Sequence, residues 1–308
     1  MPSTSGRTAL RPRAAGDLPS RAVVPSAGGF AAFASRSTHL TATFDPAAPP
    51  ATILNLRDLG GHRTRSGDVV RRGLAYRSAD LAGLEPAGAA AALERLGVRT
   101  IYDLRTSLER RRHPDRGKLP DGTRYVVADV MRDSQAGSPA HLYRLMTDPQ
   151  AANARFGGGR SVIFFEERYR EFVSLGSARA ALRRMFLGLS NPARLPGLFH
   201  CTTGKDRTGW AAAALQLLLD VPEEVVIADY LASNAALTGT MDQALDRFEA
   251  AGGDPAALEP LTRVRSSYLE AALSEMHRAY GSIAAYVTDA LGIDDAGQRR
   301  LRDVFIGD

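Results

Sequence analysis

Cysteine is almost absent from this chain, which holds one, Cys201, in 308 residues. An internal disulfide is therefore excluded, and the cysteine content carries no sign of an oxidising compartment. Histidine is scarce too: the six present are scattered without metal-ligand spacing, so neither a metal nor a cofactor is expected. No apolar run approaches the ~18–20 residues that a membrane span needs, so no integral membrane segment is expected. Residues 1 to 20 also lack the apolar stretch of a signal peptide. The expected location is cytoplasmic, with secretion lacking a visible signal peptide as the alternative. Acidic residues are sparse at the N-terminus, where Asp17 and Asp45 are the only two in the first 45 residues. With its Ala, Ser, Arg, Gly and Pro content, this stretch predicts a disordered tail over 1–44, followed by one domain over 45–308. The Arg/Ser bias is shared with transit peptides, but Pro2, Pro12, Pro19 and Pro25 interrupt any amphipathic helix.

The rest is ordinary globular composition, 44% hydrophobic and 24% charged. A net charge of +5 favours anionic partners in a general way. The basic runs Arg110-Arg111-Arg112 and Arg299-Arg300 read as solvated helix faces, so nucleic acid is not expected as a partner.

The single cysteine sits in the stretch His200-Cys201-Thr202-Thr203-Gly204-Lys205-Asp206-Arg207-Thr208-Gly209. Leu195 to Phe199 reads as a strand end and Trp210 to Leu219 as a buried helix. A strand–loop–helix unit aims the loop's N–H groups and a positive helix end at one point. A phosphate there would take hydrogen bonds from Thr202, Thr203, Gly204 and Lys205, while Arg207 could grip two of its oxygens with a planar fork. Helix N-termini and neighbouring cations lower a cysteine pKa from about 8.5 to roughly 3.5–7.5 in activated sites, so Cys201 is expected as a thiolate nucleophile. His200 reads as a residue that orients the loop, and Thr208 as a hydroxyl that donates to the thiolate. A nucleotide-binding loop built on Gly204-Lys205 is excluded, because Asp206 follows the lysine and six residues, not four, separate Gly197 from Gly204.

Periodicity supplies the frame. Val69 to Tyr76 predicts extended structure, Glu85 to Leu96 a helix ended by Gly97, and Val98 to Tyr102 a buried strand. Thr106 with Glu109 forms a capping box for a short basic helix, and Arg124 to Val130 alternates into another strand. Ser134 to Gly159 reads as mobile. From Phe164 onward the pattern is helical apart from the strand feeding Cys201, with helices over Pro222–Asn234, Thr240–Ala251 and Asp254–His277. The expected fold is α/β: a central, mainly parallel sheet flanked by helices, its ligand outside the carboxyl end of a strand.

His200 to Gly209 resembles the H-C-x-x-G-x-x-R-[ST]-G signature of the cysteine-dependent protein-tyrosine and dual-specificity phosphatase superfamily. The variant G-K-D-R-T-G is narrower and is similar to the bacterial group that includes the mycobacterial tyrosine phosphatase B. Asn55 to Gly61 resembles that group's N-x-R-D-x-G-G, and Arg71 to Leu81 its R-x-G-x-x-[FY]-R-S-x-x-L. Leu96 to Arg105 and Ala228 to Asn234 match further segments, so the resemblance runs from about Ile53 to the C-terminus. It implies a hydrolase of phosphate monoesters on protein tyrosine, with or without dual specificity, acting through a phosphocysteine. It also implies helices that form a lid, here over about 223–260; plain packing of these helices on the sheet is the alternative. Phosphoinositide phosphatases share C-x-x-G-K-x-R, so Lys205 keeps a phosphoinositide or small-molecule substrate open. A phospho-binding module that has lost catalysis is the reading from another class; such a module would usually lack the cysteine or the arginine, and both stand here.

The superfamily's general acid comes from a separate loop, which here would follow the strand ending near Val130. Asp129 and Asp133 are the candidates, with Asp206 inside the phosphate loop as the rival. Asp206 is favoured as a functional residue, whether as acid or as a partner of the loop's amides and cations. Asp103 and Arg105 are read as facing the site or as a structural ion pair, and the same choice applies to Arg57 and Asp58.

Overall fold

The computed structural model describes residues 53–134 and 147–306. The tail expected over 1–44 lies outside the described residues. Five strands form one sheet in the order β1-β2-β5-β3-β4. They are β1 (Arg57–Asp58), β2 (Ala75–Ser78), β3 (Thr100–Asp103), β4 (Arg124–Val127) and β5 (Gly197–His200). β1 pairs antiparallel with β2, and the other pairings are parallel. β2, β3 and β5 are buried along their whole length, as expected of parallel strands covered on both faces. Side chains alternate across the sheet. Ile101 and Leu198 face a cluster with Leu93 under α1 (Pro86–Arg95). Tyr102 and Phe199 join the larger core on the opposite face.

That larger core is helical. After α2 (Ser107–Arg112) and α3 (Pro149–Phe156) come α4 (Arg160–Ser174) and α5 (Gly176–Leu189). The helix leaving the central strand, α6 (Arg207–Leu218), is buried at every residue, so it carries no polar face. α7 (Glu223–Leu231), α8 (Ser233–Ala250), α9 (Pro255–Thr262), α10 (Ser266–Tyr280) and α11 (Asp295–Phe305) complete the chain, with a π-turn at Tyr286–Ala290. No described helix is long and apolar enough to cross a membrane.

The α/β class, the parallel sheet and the loop between strand and helix agree with expectation; several boundaries do not. The segment from Val69 becomes a ladder strand only at Ala75, and Val70 makes an isolated bridge to Ile306. β4 stops at Val127, leaving Asp129 in the following turn. β1 is too short for periodicity to reveal. The span from Ser134 read as mobile includes a helix, α3, begun by Pro149 and capped by Asp148, which accepts from the Ala151 N–H at 3.0 Å; residues 135–146 lie outside the described ones. Pro222–Asn234 is broken between Leu231 and Ser233, and Asp254–His277 is broken at Arg263–Arg265. At the second break the Asn234 side chain takes over: its Oδ1 accepts from Val264 N at 2.8 Å and its Nδ2 donates to Val264 O at 2.9 Å.

Candidate active site

Strand β5 occupies the middle of the sheet and delivers Cys201 directly after His200, and α6 begins at Arg207. The loop between them is held from behind. Asp80 N donates to Thr202 O at 3.1 Å, Asn55 Nδ2 to Thr203 O at 3.0 Å and Arg77 Nη2 to Gly204 O at 2.9 Å. Because C=O and N–H point opposite ways across a trans peptide, three carbonyls turned outward leave the N–H groups of Thr203, Gly204 and Lys205 facing the other way. None of the hydrogen bonds among the described residues is donated by the main-chain N–H of Thr202 to Arg207. The loop is thus a concave row of free donors at the positive end of α6, suited to an oxyanion. Gly204 makes the turn possible: its φ is +69°, and a Cβ there would lie 2.3 Å from Ser78 O of β2.

Cys201 sits at the base of this row, 1% exposed. Arg207, at the other end, is buried and braced by a carboxylate that sequence reasoning placed only in a helix cap. Arg207 Nη1 donates to Glu109 Oε2 at 2.9 Å and Nη2 to Glu109 Oε1 at 2.7 Å. Glu109 also closes the capping box on Thr106 and accepts from Thr202 Oγ1 at 2.6 Å. The Thr202 side chain therefore turns to Glu109, leaving its main chain to the loop. Burial alone would raise the Glu109 pKa, but the Arg207 guanidinium and the donors around it hold the carboxyl well below its usual range. Burial likewise works against charged Arg207, and Glu109 with Cys201 raises its pKa above the usual value.

The other candidate residues separate. Asp206 is tied within its own surroundings, accepting from Lys205 Nζ at 2.8 Å and from Tyr169 Oη at 3.0 Å. Lys205 is buried, with Nζ 5.1 Å from the centre of the Phe165 ring. Thr208 is fully buried, its hydroxyl has no partner among the described residues, and the expected bond to the Cys201 sulfur is not formed. Thr203 is half-buried at the loop's outer bend. Asp129 lies in the turn after β4, where Oδ1 accepts from Met131 N at 3.1 Å and Oδ2 is 3.8 Å from Arg110. Burial pushes its carboxyl pKa up against the pull of Arg110 and, more weakly, of Arg207. Asp133, by contrast, is exposed and bound to Arg132 at 3.2 Å, which lowers its pKa. The turn after β4 thus keeps Asp129 within electrostatic reach of Arg207 and turns Asp133 to solvent.

Asp103 and Arg105 form the ion pair of the structural alternative, fully buried beneath the loop. Arg105 Nη2 donates to Asp103 Oδ2 at 2.7 Å and to Asp115, and Nη1 donates to Asp80 at 3.0 Å. Asp115, which no motif singled out, lies 3.4 Å from His200 Nε2, while His200 Nδ1 is 3.0 Å from Cys201 O. His200 is thereby oriented within the cluster. Asp103, Asp115 and His200 lie close enough together to hold an ion, but the Arg105 guanidinium already supplies the cation between the two carboxylates. Arg57 donates to Asp229 at 3.1 Å, and Asp58 accepts from Gly60 N at 2.8 Å and Gly73 N at 2.7 Å, so both hold the N-terminal motif in place.

A cysteine and a braced arginine at the two ends of an anion cradle, at the carboxyl end of the central strand, belong to the phosphatases that use a cysteine. Residues 49–307 match the model of the Tyrosine phosphatase family, and the chain belongs to that family. It is 34% identical to a protein assigned as a tyrosine-protein phosphatase in Cupriavidus necator, over 92% of this chain and 95% of that one. It is 32% identical to the triple specificity protein phosphatase PtpB of Mycobacterium tuberculosis, over 82% of this chain and 96% of that one. A tyrosine-protein phosphatase of Nostoc commune is 28% identical over 73% of this chain and 72% of its own length. The chain is thus an enzyme of the protein-tyrosine-phosphatase kind, as the signature at His200–Gly209 implied.

Proposed function

We propose that the enzyme hydrolyses phosphotyrosine in proteins through a phosphocysteine. The observation that carries this reading is the row of unpaired N–H groups from Thr202 to Arg207, with Cys201 at its base and the Glu109-braced Arg207 opposite. The Cys201 sulfur attacks phosphorus in line, forming the S–P bond as the bond to the tyrosyl oxygen breaks, and the leaving oxygen takes a proton from Asp129. Water then attacks phosphorus and gives a proton to the Asp129 carboxylate as the S–P bond breaks, and Thr208, whose buried hydroxyl is uncommitted, donates to the departing sulfur. Arg207 and the loop N–H groups carry the charge that grows on the equatorial oxygens. Burial favours a proton-bearing Asp129, whereas Asp206 is engaged by Lys205 and Tyr169 and Asp133 faces solvent. In this reading Asp206 holds Lys205 as a second, buried cation beside the loop.

The substrate range extends to phosphoserine and phosphothreonine and, through Lys205, to phosphoinositides; the triple specificity for which the mycobacterial relative is named supports the extension. Helices across 223–260 cover the cleft, supported by α7, which packs Tyr230 against Gly209 at the start of α6. The test is rapid quenching in alkaline detergent during turnover of a phosphotyrosine peptide. Wild-type protein should yield an acid-labile phosphoenzyme on Cys201, and Cys201→Ser should bind tungstate yet release no phosphate. Release of phosphate by Cys201→Ser at the wild-type rate would overturn the mechanism. Rates on phosphoserine peptide and soluble phosphoinositide, measured beside phosphotyrosine, decide the range.

A further inference from the structure

The free N–H groups of the loop depend on its carbonyls being turned the other way, and two of those carbonyls trace back to a single carboxylate outside the loop. Arg77, fully buried on β2, donates Nη2 to Gly204 O at 2.9 Å and Nη1 to Asp229 Oδ2 at 3.0 Å. Asn55 donates to Thr203 O at 3.0 Å, and Arg57 in turn donates to the Asn55 side-chain oxygen. Arg57 Nε then donates to the other Asp229 oxygen, Oδ1, at 3.1 Å. The two oxygens of Asp229 thus each hold one arginine, and each arginine leads to one of two successive loop carbonyls. Ser233, buried at the start of α8, accepts from both arginines at 3.2 and 3.4 Å. Arg57 Nη2 also donates to Asp229 O at 3.0 Å.

Two guanidinium groups placed side by side repel and need a shared anion to stay together. Without the Asp229 charge, Arg77 and Arg57 separate, the Thr203 and Gly204 carbonyls lose their donors, and the peptides that present the Gly204 and Lys205 N–H groups can turn. We propose that Asp229 is a positioning residue for the phosphate cradle, setting the direction of the Gly204 and Lys205 N–H groups from the end of α7 through Arg77 and Arg57. The same junction of α7 with α8 is the root of the helices over 223–260, so those helices and the cradle share one set of hydrogen bonds. This inference rests on the loop being the phosphate site, and the test separates the two.

Tungstate affinity, kcat and KM on a phosphotyrosine peptide, and melting temperature are measured for wild type, Asp229→Asn and Asp229→Glu. Asp229→Asn keeps the shape but removes the charge; it should weaken tungstate binding at least tenfold and lower kcat/KM by a similar factor. Asp229→Glu should recover part of both. If Asp229→Asn does not fold, Arg57→Gln cuts the branch through Asn55 at a more exposed position and should weaken tungstate binding several-fold. Variants that melt earlier yet bind tungstate and turn over as wild type would overturn the positioning role and reduce Asp229 to a structural ion pair. Wild-type protein that fails to bind tungstate at all would instead overturn the loop as the phosphate site.

Discussion

Replacing Glu109 with glutamine isolates what the brace on Arg207 is worth. The two hydrogen bonds, at 2.9 and 2.7 Å, join side chains that are 9% and 7% exposed. Glutamine still suits the capping-box position, so the change removes charge without removing the cap. Its amide can accept from one guanidinium nitrogen but sets an NH2 against the other, leaving a buried cation half-paired. Breaking a buried ion pair from one side costs about 3–5 kcal/mol, and for a chain of this size each kcal/mol is worth roughly 2–4 °C in melting temperature. A fall of about 10 °C follows for Glu109→Gln, and Glu109→Ala should lose about 1 kcal/mol more with the cap. The difference has a pH signature. The Glu109 pKa is lowered in the folded protein, so its contribution is complete above the unfolded carboxyl value of about 4.3. It is lost as pH falls through the lowered value, and the wild type and Glu109→Gln should converge in acid. With Arg207 no longer held flat to the cradle, kcat/KM should fall about a hundredfold, or about 2.7 kcal/mol of transition-state stabilisation. Calorimetric melting at pH 7 and pH 2 with peptide kinetics measures all three. A Glu109→Gln protein that melts within about 1 kcal/mol of wild type and keeps its kcat/KM would refute the bracing argument.

Arg207→Lys should lose both tungstate binding and turnover, since a single ammonium cannot replace the fork that meets Glu109 on one side and an oxyanion on the other; kinetics near wild type would sink that role. Asp129→Asn should remove the alkaline limb of kcat on a substrate with a poor leaving group. The raised pKa of Asp129 keeps the acid protonated to higher pH, and activity falls as pH rises through that value. Matching changes in Asp133→Asn or Asp206→Asn, with none in Asp129→Asn, would reassign the acid. Gly204→Ala forces a Cβ to within 2.3 Å of Ser78 O at positive φ, so phosphate-mimic binding should be lost, as read by titration with tungstate. Gly188→Ala gains helix propensity but meets the Tyr102 hydroxyl at 1.8 Å; we expect a net loss of about 1–3 kcal/mol in denaturant unfolding.

Much of the site's chemistry was legible because it is local. The spacing of Cys201, Gly204 and Arg207 marks a phosphate loop wherever a strand precedes it and a helix follows, and both patterns are short enough to read from periodicity. The family followed from the same residues with the motifs at Asn55–Gly61 and Arg71–Leu81. Those motifs were visible as resemblances but not as parts of a mechanism, since nothing along the chain says that Asn55 and Arg77 reach the loop carbonyls. Glu109 shows the limit most plainly: the residue that satisfies Thr106 three positions away by a capping box also holds Arg207 across 98 positions. A cap is written in i to i+3 spacing, whereas a brace depends on where β3 and β5 lie in the sheet. The helix breaks at Ala232 and near Arg263 were missed for a related reason: Asn234 holds Val264 only once the two segments have met.

The choice among aspartates was likewise tertiary. Asp129, Asp133 and Asp206 carry the same carboxylate, and the sequence by itself favoured Asp206 as a functional residue without deciding which of the three is the acid. Burial in the turn after β4, exposure beside Arg132, and capture by Lys205 and Tyr169 separate them. The sequence on its own determined the strand–loop–helix unit around Cys201, the α/β class and the family, because these rest on residues adjacent in the chain. Only the tertiary structure decided what braces Arg207, what turns the loop's N–H groups inward and how each carboxylate is tuned, because charge and burial depend on neighbours that the chain brings together from far apart.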